Sequence, residues 1–428
     1  MSTESRKTTG IGQLSLVEHA LCPLDPKLSL VKNLAFDCKY SYSDASGSRL
    51  SSNVSVFCPL GLSASDELYL WGMLALTLRQ PDPKPSFYAT PHWCLRQLQI
   101  INQSNKRGGR QYQQFADAMQ RLSAITYMSD AFYDPVRQEH RKVRFHFLSY
   151  SLPADSDSSR AWHFQWDPLF FQMVVAVAGQ FRFDLTIYRE LDAASRRLFL
   201  FATKVLSRRS EVRALALEQV ATDLLGFSPT LANFEAKAKV KKCIAKLVNL
   251  QVLSEGEIFR TSPGKFFVRL KRGAYFNTKF DLRGSLTPSD SPLFEPLVAI
   301  GFSDDSASLL IRRYQSDLLS EWIDITQAAI ERFGLSYFHK SPMAFLVDSV
   351  SKASKGNRTA PDWWQEMRRA ENRRHEMNEE TRGVFSRIRQ ELFGADESDE
   401  VVEPSRTSTK GTLVSLADVL SAKSSSSL

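Results

Sequence analysis

Cysteine is scarce and scattered. The five residues, Cys22, Cys38, Cys58, Cys94 and Cys243, are odd in number and include no Cys-x-x-Cys pair. Neither a zinc site nor a disulfide framework is expected, and a reducing compartment fits. Long hydrophobic runs are also missing. The longest, residues 169–178, is interrupted by Gln172 and falls well short of the roughly 20 residues needed to cross a bilayer. No apolar signal region precedes the body of the chain, so the expectation is a cytoplasmic protein without a membrane partner. Paired histidines are absent: His146 stands alone between Phe145 and Phe147, which excludes the metal-assisted attack of a tyrosine that needs two on one strand. Gly256 and the Gly264-Lys265 pair are too far apart for a phosphate loop and fall on an expected hairpin. Asp155 and Asp157 lie in a serine-rich loop and read as solvated. No catalytic residue, metal or cofactor is expected.

What the sequence does have is concentrated positive charge. The chain is 428 residues long, 43% hydrophobic and carries a net charge of +8, with room for two or three domains and real cores. Residues 228–272 hold ten Lys or Arg against three Glu and no Asp, so about one-tenth of the chain supplies nearly all of the net charge. That concentration is the footprint of a phosphate-binding face.

The elements around it have a recognisable order. Residues 191–206 place Leu191, Ala194, Leu198, Phe201, Ala202 and Val205 at helical spacing and leave Arg196, Arg197, Arg208 and Arg209 outside the stripe. A second helix over about 215–225 ends at Gly226, and Ser228-Pro229 offers a start for the next. That next helix, about 230–250, keeps Phe234, Val240, Ile244, Leu247 and Val248 for packing and exposes Lys237, Lys239, Lys241, Lys242 and Lys246. Strands at 257–261 and 266–271 around Ser262-Pro263-Gly264-Lys265 form a basic hairpin with Arg260, Lys265, Arg269, Lys271 and Arg272. A lysine-rich helix beside a basic hairpin suits a DNA major groove.

The same order occurs earlier with less charge. A helix over 65–78 leads through an extended 87–89 into a helix from Thr90-Pro91 to about 101 and another over 110–124. Lys106, Arg107, Arg110, Gln111, Gln113 and Gln114 cluster at the start of the latter, where phosphates and base edges would be met. Strands over 125–133 and 141–152 read as its hairpin, with Arg137, Arg141 and Lys142 near the tip. The expected fold class is α+β: two tandem winged-helix domains at 51–155 and 156–284, a small helical module at 285–360, a charged helix at 361–394 and a disordered tail at 395–428.

Residues 184–201 (DLTIYRELDAASRRLFLF) together with 70–78 (LWGMLALTL) resemble the plasmid replication initiator protein A family across about 63–273. The resemblance implies a tandem winged-helix initiator that binds repeated origin sites as a monomer and is often held as an inactive homodimer. The segment 160–182 matches the family only loosely.

Two further segments bear on partners. Residues 1–50 read as a flexible lead in which Gln13, Leu14, Ser15, Leu16 and Val17 resemble the short peptide that docks replication proteins on the sliding clamp; packing of these residues on the body is the alternative. The charged C-terminal helix, with Trp363 and Trp364, is expected either to stand exposed for self-association or helicase contact or to dock through its tryptophans. The function expected is stoichiometric: binding of double-stranded origin repeats, opening of the duplex and recruitment of the host initiator and replicative helicase. A repressor of the same fold binding an operator is the alternative, and a protein-interaction module with solvated lysines is a third reading.

Overall fold

The computed structural model describes residues 9–43, 48–80, 82–101, 109–153, 155, 158–176, 180–277, 287–371 and 373. The chain divides into two compact units, 1–375 and 376–428, and all described residues belong to the first. Lys106, Arg107, Asp157, the continuation of the charged helix beyond 373 and the tail at 395–428 lie outside the described residues. The architecture is mixed α+β, with small antiparallel sheets set among helices.

The chain enters as β1 (Thr9–Gln13), then the short helix α1 (Pro26–Ser29) and the hairpin β2 (Leu34–Ser43) and β3 (Arg49–Cys58). In β2, Leu34, Cys38 and Tyr40 are buried while Ala35, Asp37 and Lys39 are exposed, the period-two pattern of a strand with one core face. Next come α2 (Asp66–Leu78), β4 (Ser86–Ala89), α3 (Pro91–Gln97) and α4 (Gly109–Ser123). Thr90 caps α3 by accepting from the Trp93 amide at 3.1 Å, with Pro91 in the first turn, where no amide donor is required. β5 (Thr126–Asp134), β6 (Glu139–Phe145), β7 (Leu148–Ser151), β8 (Trp162–Trp166) and α5 (Pro168–Val175) follow.

The pairing of these strands corrects the expected first hairpin. β5 and β6 join β2 and β3 in one sheet of order β2-β3-β5-β6, while β4, β8 and β7 form a separate sheet of order β4-β8-β7. The stretch read as one strand over 141–152 is two. It breaks at His146 and Phe147, where the His146 ring bonds the Ile125 carbonyl at 2.6 Å and Phe147 is fully buried. The hairpin that packs on α4 is therefore β7–β8, and Arg137, Arg141 and Lys142 sit on or beside the strands of the other sheet.

The second half begins with β9 (Gln180–Asp184), which pairs antiparallel with β1. Gly10 and Gly12 make that pairing possible: a Cβ at either would lie 2.4 or 2.3 Å from the Phe183 or Phe181 ring, well inside contact distance. α6 (Leu185–Glu190) and α7 (Ala193–Leu206) follow, each capped by an aspartate, Asp184 and Asp192. Then come β10 (Glu211–Ala216), α8 (Leu217–Gln219) running into a π-helical turn at Val220–Leu224, α9 (Asn233–Asn249), β11 (Leu253–Ser262) and β12 (Lys265–Arg272). The sheet order is β10-β12-β11. The helix expected over 215–225 is preceded by a strand, and α9 starts three residues later than expected.

The lead at 1–50 is not free over its described part. Gln13, Ser15, Leu16 and Val17 are buried and Leu14 partly so, the Gln13 side-chain oxygen accepts from the amides of Ser15 and Leu16 at 2.7 and 3.0 Å, and Lys204 bonds the Leu14 carbonyl at 2.8 Å. This corrects the reading of residues 13–17 as an accessible clamp peptide: its anchor side chains are already spent in the core.

One continuous apolar core runs through both halves, with Trp71, Trp93, Trp166, Tyr127, Tyr188 and Phe183 among the fully buried side chains. Each large apolar side chain so buried is worth about 1.5–3 kcal/mol. Polar locks cross it. Arg197 on α7 is buried and donates to Glu67 of α2 at 2.6 and 3.0 Å, to the Leu225 carbonyl at 2.7 Å and to Cys22 Sγ at 3.4 Å. Burial works against its charge, and the adjoining Glu67 more than restores it, so its pKa stands above the ordinary value. The expectation that Arg197 lies outside the buried stripe is corrected by this pair. Gly226, at φ +77°, lets the backbone close over it, since a Cβ there would meet Arg197 Nη1 at 2.2 Å.

A second core forms the helical module: α10 (Phe294–Ile300), α11 (Asp304–Arg313), α12 (Ser316–Phe333) and α13 (Pro342–Ala353) around Leu297, Leu319, Trp322, Ile325, Leu346 and Val350. Gly301, at φ +119°, makes the turn between α10 and α11, as expected. A further helix over 362–371 is docked on the module: Trp364 Nε1 donates to Asp324 at 2.7 Å and the Trp363 ring meets Phe333 edge-on at 5.1 Å. Among the described residues no helix is long and apolar enough to cross a membrane.

Candidate nucleic-acid interface

The basic surface is built on α9. Ala236, Val240, Cys243, Ile244 and Leu247 turn inward, and α9 packs on α7 and β11. Successive helical residues rotate by about 100°, so the opposite face presents Phe234, Ala238, Lys241, Ala245 and Asn249, all exposed. Phe234 is 74% exposed, which corrects its expected role in packing. Lys239 and Lys242 flank this stripe on one side and Lys237 on the other. The Lys237 ammonium lies 4.9 Å from the centre of the Phe266 ring and that of Lys239 5.3 Å from Phe227, contacts that fix both side chains along the helix edge. Lys246 is ion-paired with Asp192, the cap of α7.

Sequence reading singled out the lysines, Lys241 of the stripe among them, and did not single out Ala238, Ala245 or the exposure of Phe234. Ala238 and Ala245 give the helix a shallow profile, and Phe234 puts an apolar ring at its N-terminal end. Small residues let a helix approach base edges, and an aromatic can meet a thymine methyl. The signal not used was the recurrence of Phe234, Ala238 and Ala245 at spacings of four and seven on the charged side of α9.

The β11–β12 hairpin stands beside α9. Its tip is the turn Pro263-Gly264, with Gly264 at φ +77°, and Arg260 and Lys265 are exposed there. Farther down, Arg269 pairs with Glu257 at 3.0 Å and Lys271 with Glu255 at 2.7 Å, so these two cations are partly neutralised along the hairpin while the tip is not.

The first half presents less. On α4, Arg110, Gln113 and Gln114 are exposed and Gln111 partly so, but Gln113 is bonded to Asp117 at 2.7 Å. Arg137 and Arg141 both bind Asp134, at 3.1 and 2.9 Å. Burial alone would raise that carboxyl, but the hydrogen bonds from Arg141 and Arg137 hold it down at about 2. Lys142 is exposed and pairs with Asp130 at 3.4 Å. These three cations serve the β5–β6 turn and not the hairpin beside α4.

That other hairpin, β7–β8, is engaged by the helical module. Arg160, in the connection just before β8, is buried and donates to Asp324 at 2.7 and 3.0 Å and to Glu371 at 2.7 Å. Ser158 and Ser159 donate to Glu331 at 2.8 and 3.1 Å. Tyr88 and His163 stack across β4 and β8 at 4.5 Å, with Arg368 over Tyr88. Arg96 pairs with Glu295 at 2.6 Å, and Lys84 with Asp317. The first hairpin thus ends in carboxylates of the module, whereas at the tip of the second Arg260 and Lys265 are exposed and, among the described residues, have no carboxylate partner.

No family model matches the chain, and no curated protein matches it. Among solved structures, a selenomethionyl crystal structure of domains 2 and 3 of RctB is similar at a TM-score of 0.39 with 14% sequence identity, over 60% of this chain and 98% of that one.

Proposed function

We propose that this chain binds double-stranded DNA sequence-specifically through two winged-helix units, as a replication initiator acting on repeated origin sites. The carrying observation is the outward face of α9, a shallow stripe flanked by lysines and set beside a basic hairpin. Support for the winged-helix reading comes from connectivity. The order α7, β10, α8, α9, β11, β12 with strands arranged β10-β12-β11 recurs as α2, β4, α3, α4, β7, β8 with strands arranged β4-β8-β7, the β5–β6 hairpin being an insertion. In such a unit the second helix of the helix-turn-helix enters the major groove and the hairpin meets the backbone.

On this reading Lys241 sits among base edges with Phe234 and Asn249. Lys237, Lys239, Lys242, Arg260 and Lys265 neutralise phosphates and make affinity fall steeply with salt. The chain acts stoichiometrically, with several copies bending adjacent DNA and the cost of distortion met by binding energy. Initiation rather than repression is favoured by the tandem repeat of the unit, which gives one chain two readers for a single site. The test is charge reversal, Lys241→Glu with Lys242→Glu, on the DNA flanking the gene, followed by transformation of an origin-only plasmid with the protein supplied in trans. Loss of binding together with loss of plasmid maintenance is expected. Unchanged binding overturns the assignment of α9, and binding without plasmid maintenance by the unaltered protein favours repression.

A further inference from the structure

A cleft of about 410 Å³ lies between the N-terminal sheet and the α7–β10 segment, bounded by β2, the β5–β6 turn, α7 and β10. Its rim carries Arg49, Arg208, Arg209 and Arg213. All four are exposed, and among the described residues none has a carboxylate partner. Lys204 also faces the cleft, but is committed to Glu18 and the Leu14 carbonyl. The wall is aromatic: the Tyr42 and His140 rings are 4.3 Å apart and Tyr133 lies 5.3 Å from His140. Burial first, then the nearby Lys204, lowers the His140 pKa, which favours a neutral imidazole, a flat surface rather than a further cation. Val205 and Leu215 line the opposite side.

Four exposed guanidiniums, with no carboxylate partner among the described residues, stand over a wall of rings and fit a ligand with phosphate on one side and a flat heterocycle on the other. Arginine holds phosphate through two parallel hydrogen bonds, and an aromatic surface stacks on any base whose face is uncovered. Bases inside a duplex have both faces covered. A cleft of this size, at the lower end of the roughly 300–1,000 Å³ range of ligand pockets, holds one or two nucleotides. We infer that this cleft is a binding site for unpaired nucleotides, separate from the duplex-binding face. The elements differ: the cleft opens at the β10 edge of the sheet, whereas α9 packs on β11 at the other edge. The inference stands independently of the proposed function, because neither the rim nor the wall includes a residue assigned there.

The experiment is fluorescence anisotropy of the full chain with a labelled oligo-dT of about 15 nucleotides, the blunt duplex from the gene's flank, and dTTP as competitor. Arg208→Ala with Arg209→Ala and Arg213→Ala alters only exposed side chains and leaves the core intact. It is expected to weaken strand binding tenfold or more, to reduce the salt slope by about 2, and to leave duplex binding within about twofold of the unaltered protein. Tyr42→Leu, which keeps apolar volume and removes stacking, is expected to weaken strand binding about fivefold. Displacement of the strand by dTTP at matching thymidine concentration assigns the site to free nucleotide, and displacement only by large excess assigns it to a strand. No binding of either probe by the unaltered protein, strand binding unchanged in the arginine variant, or strand and duplex affinities falling together overturns the inference.

Discussion

Removing one partner of the buried Glu67–Arg197 pair is the sharpest test of how the two halves are held together. Arg197→Met leaves the Glu67 carboxylate buried without a counter-charge and the Leu225 carbonyl without its donor, two groups that Arg197 contacts at 2.6 and 2.7 Å. Breaking a sealed pair in this way costs about 3–5 kcal/mol, of which the orphaned carbonyl alone represents about 1–3 kcal/mol. Replacing both partners, Glu67→Leu with Arg197→Met, leaves no buried charge. It should recover at least about 2 kcal/mol of that loss as coupling between neighbouring sites. The assay is urea unfolding at pH 7 followed by tryptophan fluorescence, with Trp71 on the same helix as Glu67. A loss below about 1 kcal/mol for the single variant would refute the reasoning, since it would mean that water reaches Glu67 and that the pair does not weld α2 to α7.

Mild acid should weaken the fold. His19 and His163 are both pushed down to about 4, each chiefly by burial, so their contribution is complete above the unfolded value near 6.5 and is lost as the pH falls towards 4. Urea midpoints measured across that window should decline, and His19→Gln should flatten part of the decline. Arg160→Met should take the guanidinium away from the buried Asp324 and loosen the module from the β7–β8 hairpin, seen as faster limited proteolysis of the module with β11–β12 protection unchanged. Gly10→Val should collide with the Phe183 ring and detach β1, read as loss of amide protection along Thr9–Gln13. Phe234→Ala should leave the melting temperature unchanged, because the side chain is exposed, and weaken duplex binding by about fivefold or more, the scale of one lost base contact.

The legible parts of the molecule were those whose signals are local. Gly226 and Pro263-Gly264 mark turns by backbone conformation alone, and the α9 stripe Val240, Ile244 and Leu247 carries its own period, so the basic hairpin and the helix before it stand where expected. Other features depend on partners distant in sequence. The alternation Leu34, Cys38, Tyr40 is a strand signal, but it becomes a sheet only by joining β3 and β5, and it lay inside a segment read as a flexible lead. Gln13 looked like an exposed anchor because glutamine usually faces water; here it turns inward to hold the amides of Ser15 and Leu16. The break at His146 and Phe147 divides one run of alternation between two sheets, and no local rule marks it. Arg197 shows the same limit for charge, since only the tertiary neighbour Glu67 makes its burial tolerable. On the candidate face, the lysines are legible as charge, whereas Phe234, Ala238 and Ala245 gain meaning only once the helix has a known outward face.

The central claim is tested most directly by titrating the purified full chain onto the DNA flanking its own gene, from low to high salt, against an unrelated duplex of equal length. The account predicts repeat-dependent binding that survives moderate salt, with a steep logarithmic salt slope that becomes shallower by about 1 when Lys241 and Lys242 are both reversed, Lys242 being the one of the two that meets phosphate. Equal affinity for both duplexes, with the reversed variant indistinguishable from the unaltered chain, would contradict it and leave α9 as a solvated face.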